Sequence, residues 1–198
     1  MKKIISTLFI LLGVLMAGIP ALAQGPVTAV NFEGGWTRGI GRIRNDALNF
    51  TVVPETPLNN FLTFGVGLGY EHIYSLPFPD YIKKTNLVRD LVPFFFRLKA
   101  YTKNAKRVSF IYLDAGCAVD GKYMMENMNE EYVDDVEASK HIYGMFELGF
   151  GSDFYLSENG SGYLKCGLNF MHTKTPDGST LSPFVSIKVG YTLHLLDE

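Results

Sequence analysis

The sequence predicts an all-β protein: an eight-stranded, antiparallel, up-and-down transmembrane β-barrel preceded by a cleaved signal peptide. Three observations carry that prediction. The final stretch, Phe184 to Leu195, sets Val185, Ile187, Val189, Tyr191, Leu193 and Leu195 on one parity and Ser186, Lys188, Gly190, Thr192 and His194 on the other, the pattern of a two-faced strand. Its alternation runs for about 11 residues, close to a tilted strand crossing a bilayer and about twice a typical globular strand. Read backwards along the chain, the pattern recurs seven more times. Beyond residue 23, no apolar run reaches the roughly 18 residues of a spanning helix, so residence in a membrane requires a closed barrel.

The strands follow in order. The first runs from about Ala29 to Thr37, with Val30, Phe32 and Trp36 opposite Asn31, Glu33, Gly35 and Thr37. After the polar turn Arg42 to Asp46, the second sets Leu48, Phe50 and Val52 against Asn49 and Thr51, and is expected to stop at Pro54 and Pro57, which cannot donate to a ladder. The third alternates Leu62, Phe64, Val66, Leu68 and Tyr70 with Thr63, Gly65, Gly67, Gly69 and Glu71. Ser75 to Arg89, with Pro77, Pro79 and several charges, reads as a long loop. The fourth strand sets Val92, Phe94, Phe96, Leu98 and Ala100 against Phe95, Arg97 and Lys99, and a short turn, Lys103 to Lys106, leads to the fifth. There Ile111, Leu113, Ala115, Cys117 and Val119 oppose Tyr112, Asp114 and Gly116. An acidic loop from Gly121 to about Lys140 precedes the sixth, in which Ile142, Phe146, Leu148, Phe150, Phe154 and Leu156 oppose Tyr143, Glu147, Gly149, Gly151 and Asp153. Asn159-Gly160 marks a tight hairpin. The seventh sets Leu164, Cys166, Leu168 and Phe170 against Lys165, Gly167, Asn169 and Met171, and Thr173 to Ser182 connects it to the last strand. Short connections thus follow strands two, four and six, long ones follow three and five, and the first and last are intermediate, the asymmetry of barrels with short periplasmic turns and longer external loops.

Residues 1–23 differ from the rest: Lys2 and Lys3, an apolar run from Ile4 to about Ala17, then Gly18, Pro20 and Ala21-Leu22-Ala23. This reads as a secretory signal cleaved after Ala23, leaving 24–198 as the barrel. No cysteine follows the cleavage site, so no lipoprotein anchor is expected. The 198-residue chain is 47% hydrophobic and 14% aromatic, which argues against disorder, and its formal charge of −2 gives no general reason to expect nucleic acid.

Bulk decides which face is outside. An eight-stranded barrel is only just wide enough for side chains, and the apolar face carries large residues while the polar face carries Gly35, Gly65, Gly67, Gly69, Gly116, Gly149, Gly151, Gly167 and Gly190. The apolar face therefore points to lipid. Glu33, Glu71, Asp114, Glu147 and Asp153 then share the lumen with Arg97, Lys99, Lys165 and Lys188, and charges so confined must pair or be hydrated. The expected network centres on Glu71, Asp114 and Glu147 with Arg97, Lys99 and Lys188, and plugs the lumen.

On this strand pattern the mature chain resembles the small eight-stranded outer-membrane barrels of the OmpA/OmpX type, often described as porin-family proteins. The resemblance implies the outer membrane of a Gram-negative cell, contact with its lipid and lipopolysaccharide, and insertion by the barrel-assembly machinery. Such barrels usually end on an aromatic residue, whereas here Leu195-Leu196-Asp197-Glu198 follows the last aromatic, Tyr191.

Few residues point to chemistry. Cys117 and Cys166 sit two strands apart, roughly 9.5 Å, too far for a disulfide, and are expected as free thiols facing lipid. Gly116 to Lys122 has the spacing of a phosphate-binding loop, but Tyr123 follows where Ser or Thr is needed. Glu126, Glu130, Glu131, Asp134, Asp135 and Glu137 cluster in the acidic loop without the spacing of a calcium-binding hand, and no metal or cofactor is expected. Arg38, Arg42 and Arg44, with Lys83 and Lys84, are candidates for lipopolysaccharide phosphates. His72, His141 and His172 fall near the external rim with Ser139, Ser179, Ser182 and Asp177 in neighbouring loops, but at no recognisable catalytic spacing. The expected role is non-enzymatic: structural, or contact with an envelope or host surface partner through the loops. The competing readings are a narrow channel, a lipid A-modifying enzyme and a soluble periplasmic β-barrel binder.

Overall fold

The computed structural model describes residues 27–40, 45–75, 89–102, 108–121, 142–157, 159–175 and 178–195. Eight strands follow one another: β1 (Ala29–Gly39), β2 (Asn45–Asn59), β3 (Leu62–Ser75), β4 (Arg89–Tyr101), β5 (Val108–Asp120), β6 (Ile142–Ser157), β7 (Gly160–Thr175) and β8 (Gly178–His194). Each pairs antiparallel with its neighbour, and β1 closes on β8 from Ala29↔His194 to Gly39↔Phe184, so the sheet is a closed barrel. Both described chain ends lie at the end where β2 turns into β3, β4 into β5 and β6 into β7. The signal segment 1–23 and the acidic loop lie outside the described residues.

Two elements differ from the sequence expectation. β2 does not stop at Pro54 but runs on to Asn59. Pro54 keeps its place opposite Val30 on β1, while the β2–β3 pairing steps from Val52↔Leu68 to Glu55↔Gly65. The missing N–H therefore costs one rung on one side and leaves the strand intact. The connection expected from Thr173 to Ser182 is instead mostly strand: β7 continues to Thr175 and β8 begins at Gly178, paired as Thr175↔Gly178.

Side-chain parity sorts the barrel into two surfaces, and their chemistry is that of a soluble protein inverted. Phe150 is 65% exposed and Val189 61%, whereas Glu33 is 1% and Glu147 0%. Leu48, Phe96, Ile111, Leu148 and Ile187 continue the exposed apolar surface around the wall. A continuous outer face of this kind is stable only against lipid.

The lumen is not as uniformly polar as bulk alone predicts. Ala47, Ile73, Leu91, Phe95, Tyr143, Met145, Met171 and Phe184 form a buried apolar cluster, and Phe110, Tyr112 and Tyr163 form a second. Four of these rings fit because each faces a glycine directly across the ladder: Phe95 opposite Gly67, Phe110 opposite Gly151, Tyr112 opposite Gly149 and Tyr163 opposite Gly190. A Cβ at any of those four glycines would run into the facing ring. Aromatic cover of a strand glycine is a known way to restore packing lost with the missing side chain.

Gly149→Leu is therefore expected to lower stability by about 1–3 kcal/mol or to block folding outright. Phe150→Leu, one residue along and facing lipid, is expected to change it by less than about 1 kcal/mol. Urea-induced unfolding of the two variants in detergent micelles checks the contrast.

Candidate functional site

The lumen's middle is a cluster of buried charges contributed by seven strands. Arg97 on β4 is its hub. Its Nε donates to Asp114 Oδ1 at 2.7 Å and its Nη2 to Asp114 Oδ2 at 2.6 Å, a bidentate pairing across the β4–β5 ladder. The same guanidinium reaches across the barrel to Glu33 on β1, Nη2 donating to Oε2 at 3.0 Å and Nη1 to Oε1. Glu33 is also the acceptor for Tyr163 Oη at 2.6 Å and Thr51 Oγ1 at 3.0 Å, and its Oε2 lies 2.7 Å from Lys165 Nζ. Lys165 in turn stands 3.7 Å from Asp114 Oδ2 and 4.2 Å from the centre of the Tyr112 ring. One arginine and one lysine thus hold two carboxylates, with a tyrosine hydroxyl and a threonine hydroxyl as further donors to Glu33.

Two smaller pairs flank the hub. Towards the turn end, Lys99 Nζ donates to Glu55 at 3.0 Å and to Asn31 Oδ1 at 3.4 Å, enclosed by the rings of Phe110 and Tyr163 at 5.1 and 5.2 Å. On the other side of the hub, Lys188 Nζ donates to Glu147 Oε2 at 2.6 Å, while Glu147 Oε1 accepts from Tyr112 Oη at 2.6 Å and Ser186 Oγ at 2.7 Å. Asp114 and Glu147 are direct cross-strand neighbours, as are Lys165 and Lys188. Such like-charged neighbours repel. They are tolerated because each acid has its own cation: Arg97 and Lys165 serve Asp114, and Lys188 serves Glu147.

The structure thus brings together five of the six charges expected to form the network, Arg97, Lys99, Asp114, Glu147 and Lys188, but centres them on Glu33. Glu71 stands apart. It is 5% exposed and, among the described residues, takes part in no ion pair, because Lys188 is held by Glu147. Glu55 was missed because it lies beyond Pro54; the odd parity of Asn49 and Thr51, carried through the proline, reaches it. Of the residues expected at lipopolysaccharide, Arg38 lies at the loop end on the outer face, 3.9 Å from Asp46 and over the Trp36 ring at 5.8 Å. Arg42, Arg44, Lys83 and Lys84 lie outside the described residues, as does His141. His72 Nδ1 lies 2.7 Å from Asp90 Oδ1, which also accepts from Tyr70 Oη at 2.6 Å. Cys117 and Cys166 are free thiols on the outward parity. Among the described residues, no three His, Cys, Asp or Glu side chains converge as metal ligands do.

A closed sheet, an apolar outside and a charged inside together decide the class. The chain is a small transmembrane β-barrel of the outer-membrane type. No family model matches the sequence, and no curated protein does. Three solved barrels align with most of this chain at low identity. The N-terminal barrel domain of Pseudomonas aeruginosa OprF has 13% identity over 84% of this chain and 98% of that one, with a TM-score of 0.44. Neisserial surface protein A (NspA) has 10% identity over 84% and 96%, TM-score 0.47, and OprG from Pseudomonas aeruginosa 8% over 84% and 95%, TM-score 0.45. At these values the assignment rests on the barrel's own surfaces and not on the comparison.

Removing the hub cation tests the cluster directly. Arg97→Met leaves Glu33 and Asp114 with one lysine between them, and is expected to cost about 3–5 kcal/mol of stability in a micelle unfolding titration. Neutralising Asp114 in the same chain, Arg97→Met with Asp114→Asn, is expected to recover part of that loss. Arg38→Met, which removes a partly exposed guanidinium at a long 3.9 Å contact, is expected to change stability by less than about 1 kcal/mol.

Proposed function

We propose that this chain is a non-enzymatic integral protein of the outer membrane whose role is structural or surface-interactive, its lumen closed to permeation. The observation that carries this reading is the fully buried charge cluster. Arg97, Lys99, Lys165, Glu33, Asp114 and Glu147 are each at most 1% exposed and are matched carboxylate to cation across the barrel. A water-filled pore would leave such side chains hydrated, whereas these stand in ion pairs with one another and with Glu55 and Lys188. The aromatic cluster of Phe110, Tyr112 and Tyr163 stands beside them and adds bulk to the section.

With the lumen closed, recognition falls to the loop end. The basic residues Arg38, Arg42, Arg44, Lys83 and Lys84 are proposed contacts for lipopolysaccharide phosphates, since guanidinium and ammonium groups complement them. Arg38 supports this: its side chain is 39% exposed, and its contact with Asp46 is a long 3.9 Å. An envelope or host surface molecule is the proposed further partner, and the barrel-assembly machinery the proposed route of insertion.

The test is conductance of the purified, folded protein in planar bilayers. The proposal expects no protein-dependent current steps, for the wild type or for Arg38→Met. Reproducible steps of uniform size from the wild-type protein would contradict it and favour a channel.

A further inference from the structure

The wall is not uniformly laddered: apart from register shifts beside the β2–β3 and β6–β7 turns, two gaps among the described residues fall on the same strand. Between β2 and β3 the pairing steps from Val52↔Leu68 to Glu55↔Gly65, at Pro54. Between β3 and β4 it steps from Leu68↔Phe94 to Glu71↔Leu91, at Pro93. Proline has no N–H to give. On β3 the residues that face these prolines across the ladder are Val66 and Gly69, so this strand loses a rung on each side within one short stretch. A β-strand in a bilayer has no water to replace such a rung, and the loss falls on the local free energy of opening.

The same stretch of β3 is also thin. Gly65, Gly67 and Gly69 occupy its lumenal positions, and the ring of Phe95 and the side chain of Thr51 lie against them. No lumenal side chain of β3 from Gly65 to Gly69 interlocks with the opposite wall. The charge cluster takes no member from β3, its residues coming from β1, β2 and β4 to β8, and touches this stretch through Glu55 beside Gly65.

One feature compensates on the β4 side. Just beyond the Pro93 gap, Tyr70 Oη donates to Asp90 Oδ1 at 2.6 Å and His72 Nδ1 lies 2.7 Å from the same oxygen. Both contacts run from β3 to β4 on the outer surface, where His72 and Asp90 are 39% and 46% exposed. His72 stacks on Tyr74 at 6.2 Å, which fixes its ring. Side chains thus reinforce the ladder at the His72↔Asp90 rung, next to the gap.

We propose that β3 is the strand along which this barrel opens first, through a seam between Gly69 and Pro93 that the Tyr70–Asp90–His72 clasp holds shut. The lumenal neighbours of that seam are Leu91, Phe95 and Thr51 together with Glu71, so opening there leaves the paired charges of the hub in place. This is a conformational device built into the wall, independent of what the loops bind.

Hydrogen–deuterium exchange of the folded full-length barrel in lipid nanodiscs tests it, read at glycines so that intrinsic rates match. The amides of Gly67 and Gly69 are expected to exchange at least about tenfold faster than those of Gly149 and Gly151 on β6. Two substitutions should move the β3 amides in opposite directions: His72→Ala speeds them, and Pro93→Ala, which restores a donor, slows them, with the β6 glycines unchanged in both. Asp90→Asn, which keeps the side chain's size, repeats the first arm. Equal protection on β3 and β6, or β3 rates indifferent to all three substitutions, would overturn the proposal.

Discussion

Closure of the sheet is the constraint on which everything else in this molecule depends. A bilayer offers no hydrogen-bond partner to a free strand edge, so β1 must find β8, and does so along its whole length from Ala29↔His194 to Gly39↔Phe184. Closing with only eight strands fixes a narrow interior. That width then dictates composition. Most large aliphatic residues go outward, where lipid accepts them, and four of the lumenal rings are seated opposite glycine, as Phe110 is with Gly151 and Tyr163 with Gly190.

The narrow interior also explains why its charges come matched. Burying one ion unpaired costs several kcal/mol, and a paired ion regains this only when its remaining hydrogen-bonding positions are filled. Glu33 meets that condition with Arg97, Lys165, Tyr163 and Thr51 around it. The pairs link strands distant in the chain: Arg97 and Glu33 are 64 residues apart, and Tyr163 and Glu33 130. A cluster of this kind forms only once the ring is closed, and it then specifies which strands face one another. Its members fill the barrel's middle section.

Much of this was legible in the chain because strand parity is a local property. Alternation in Ile142 to Leu156 or Val185 to Leu195 needs no knowledge of partners, and it sorted lipid-facing from lumenal residues on β6 and β8. What was not legible depends on non-local geometry or on a local rule overridden. The two prolines of β2 hid its second half, and Glu55 with it, because the missing N–H of Pro54 faces β3 alone and leaves the pairing with β1 untouched. The hub at Glu33 was readable as a lumenal charge, but its partners depend on the ring's register across the barrel. Glu71 has the same parity and charge as Glu33, yet stands apart because the cation nearest in sequence expectation, Lys188, is bound to Glu147 at 2.6 Å. Bulk arguments also understated the lumen's aromatic content, since they weighed single residues and not the glycine–ring pairs that accommodate them.

The central claim is that this chain forms a closed barrel whose apolar face meets the outer-membrane bilayer. Fractionation of cells expressing the protein, followed by gel migration with and without boiling, tests it most directly. The account predicts recovery with the outer membrane and a band that shifts on boiling, as a closed barrel resists detergent until heated. Recovery in the soluble periplasmic fraction, with one band unchanged by heat, would contradict it and would require the apolar face to turn inward.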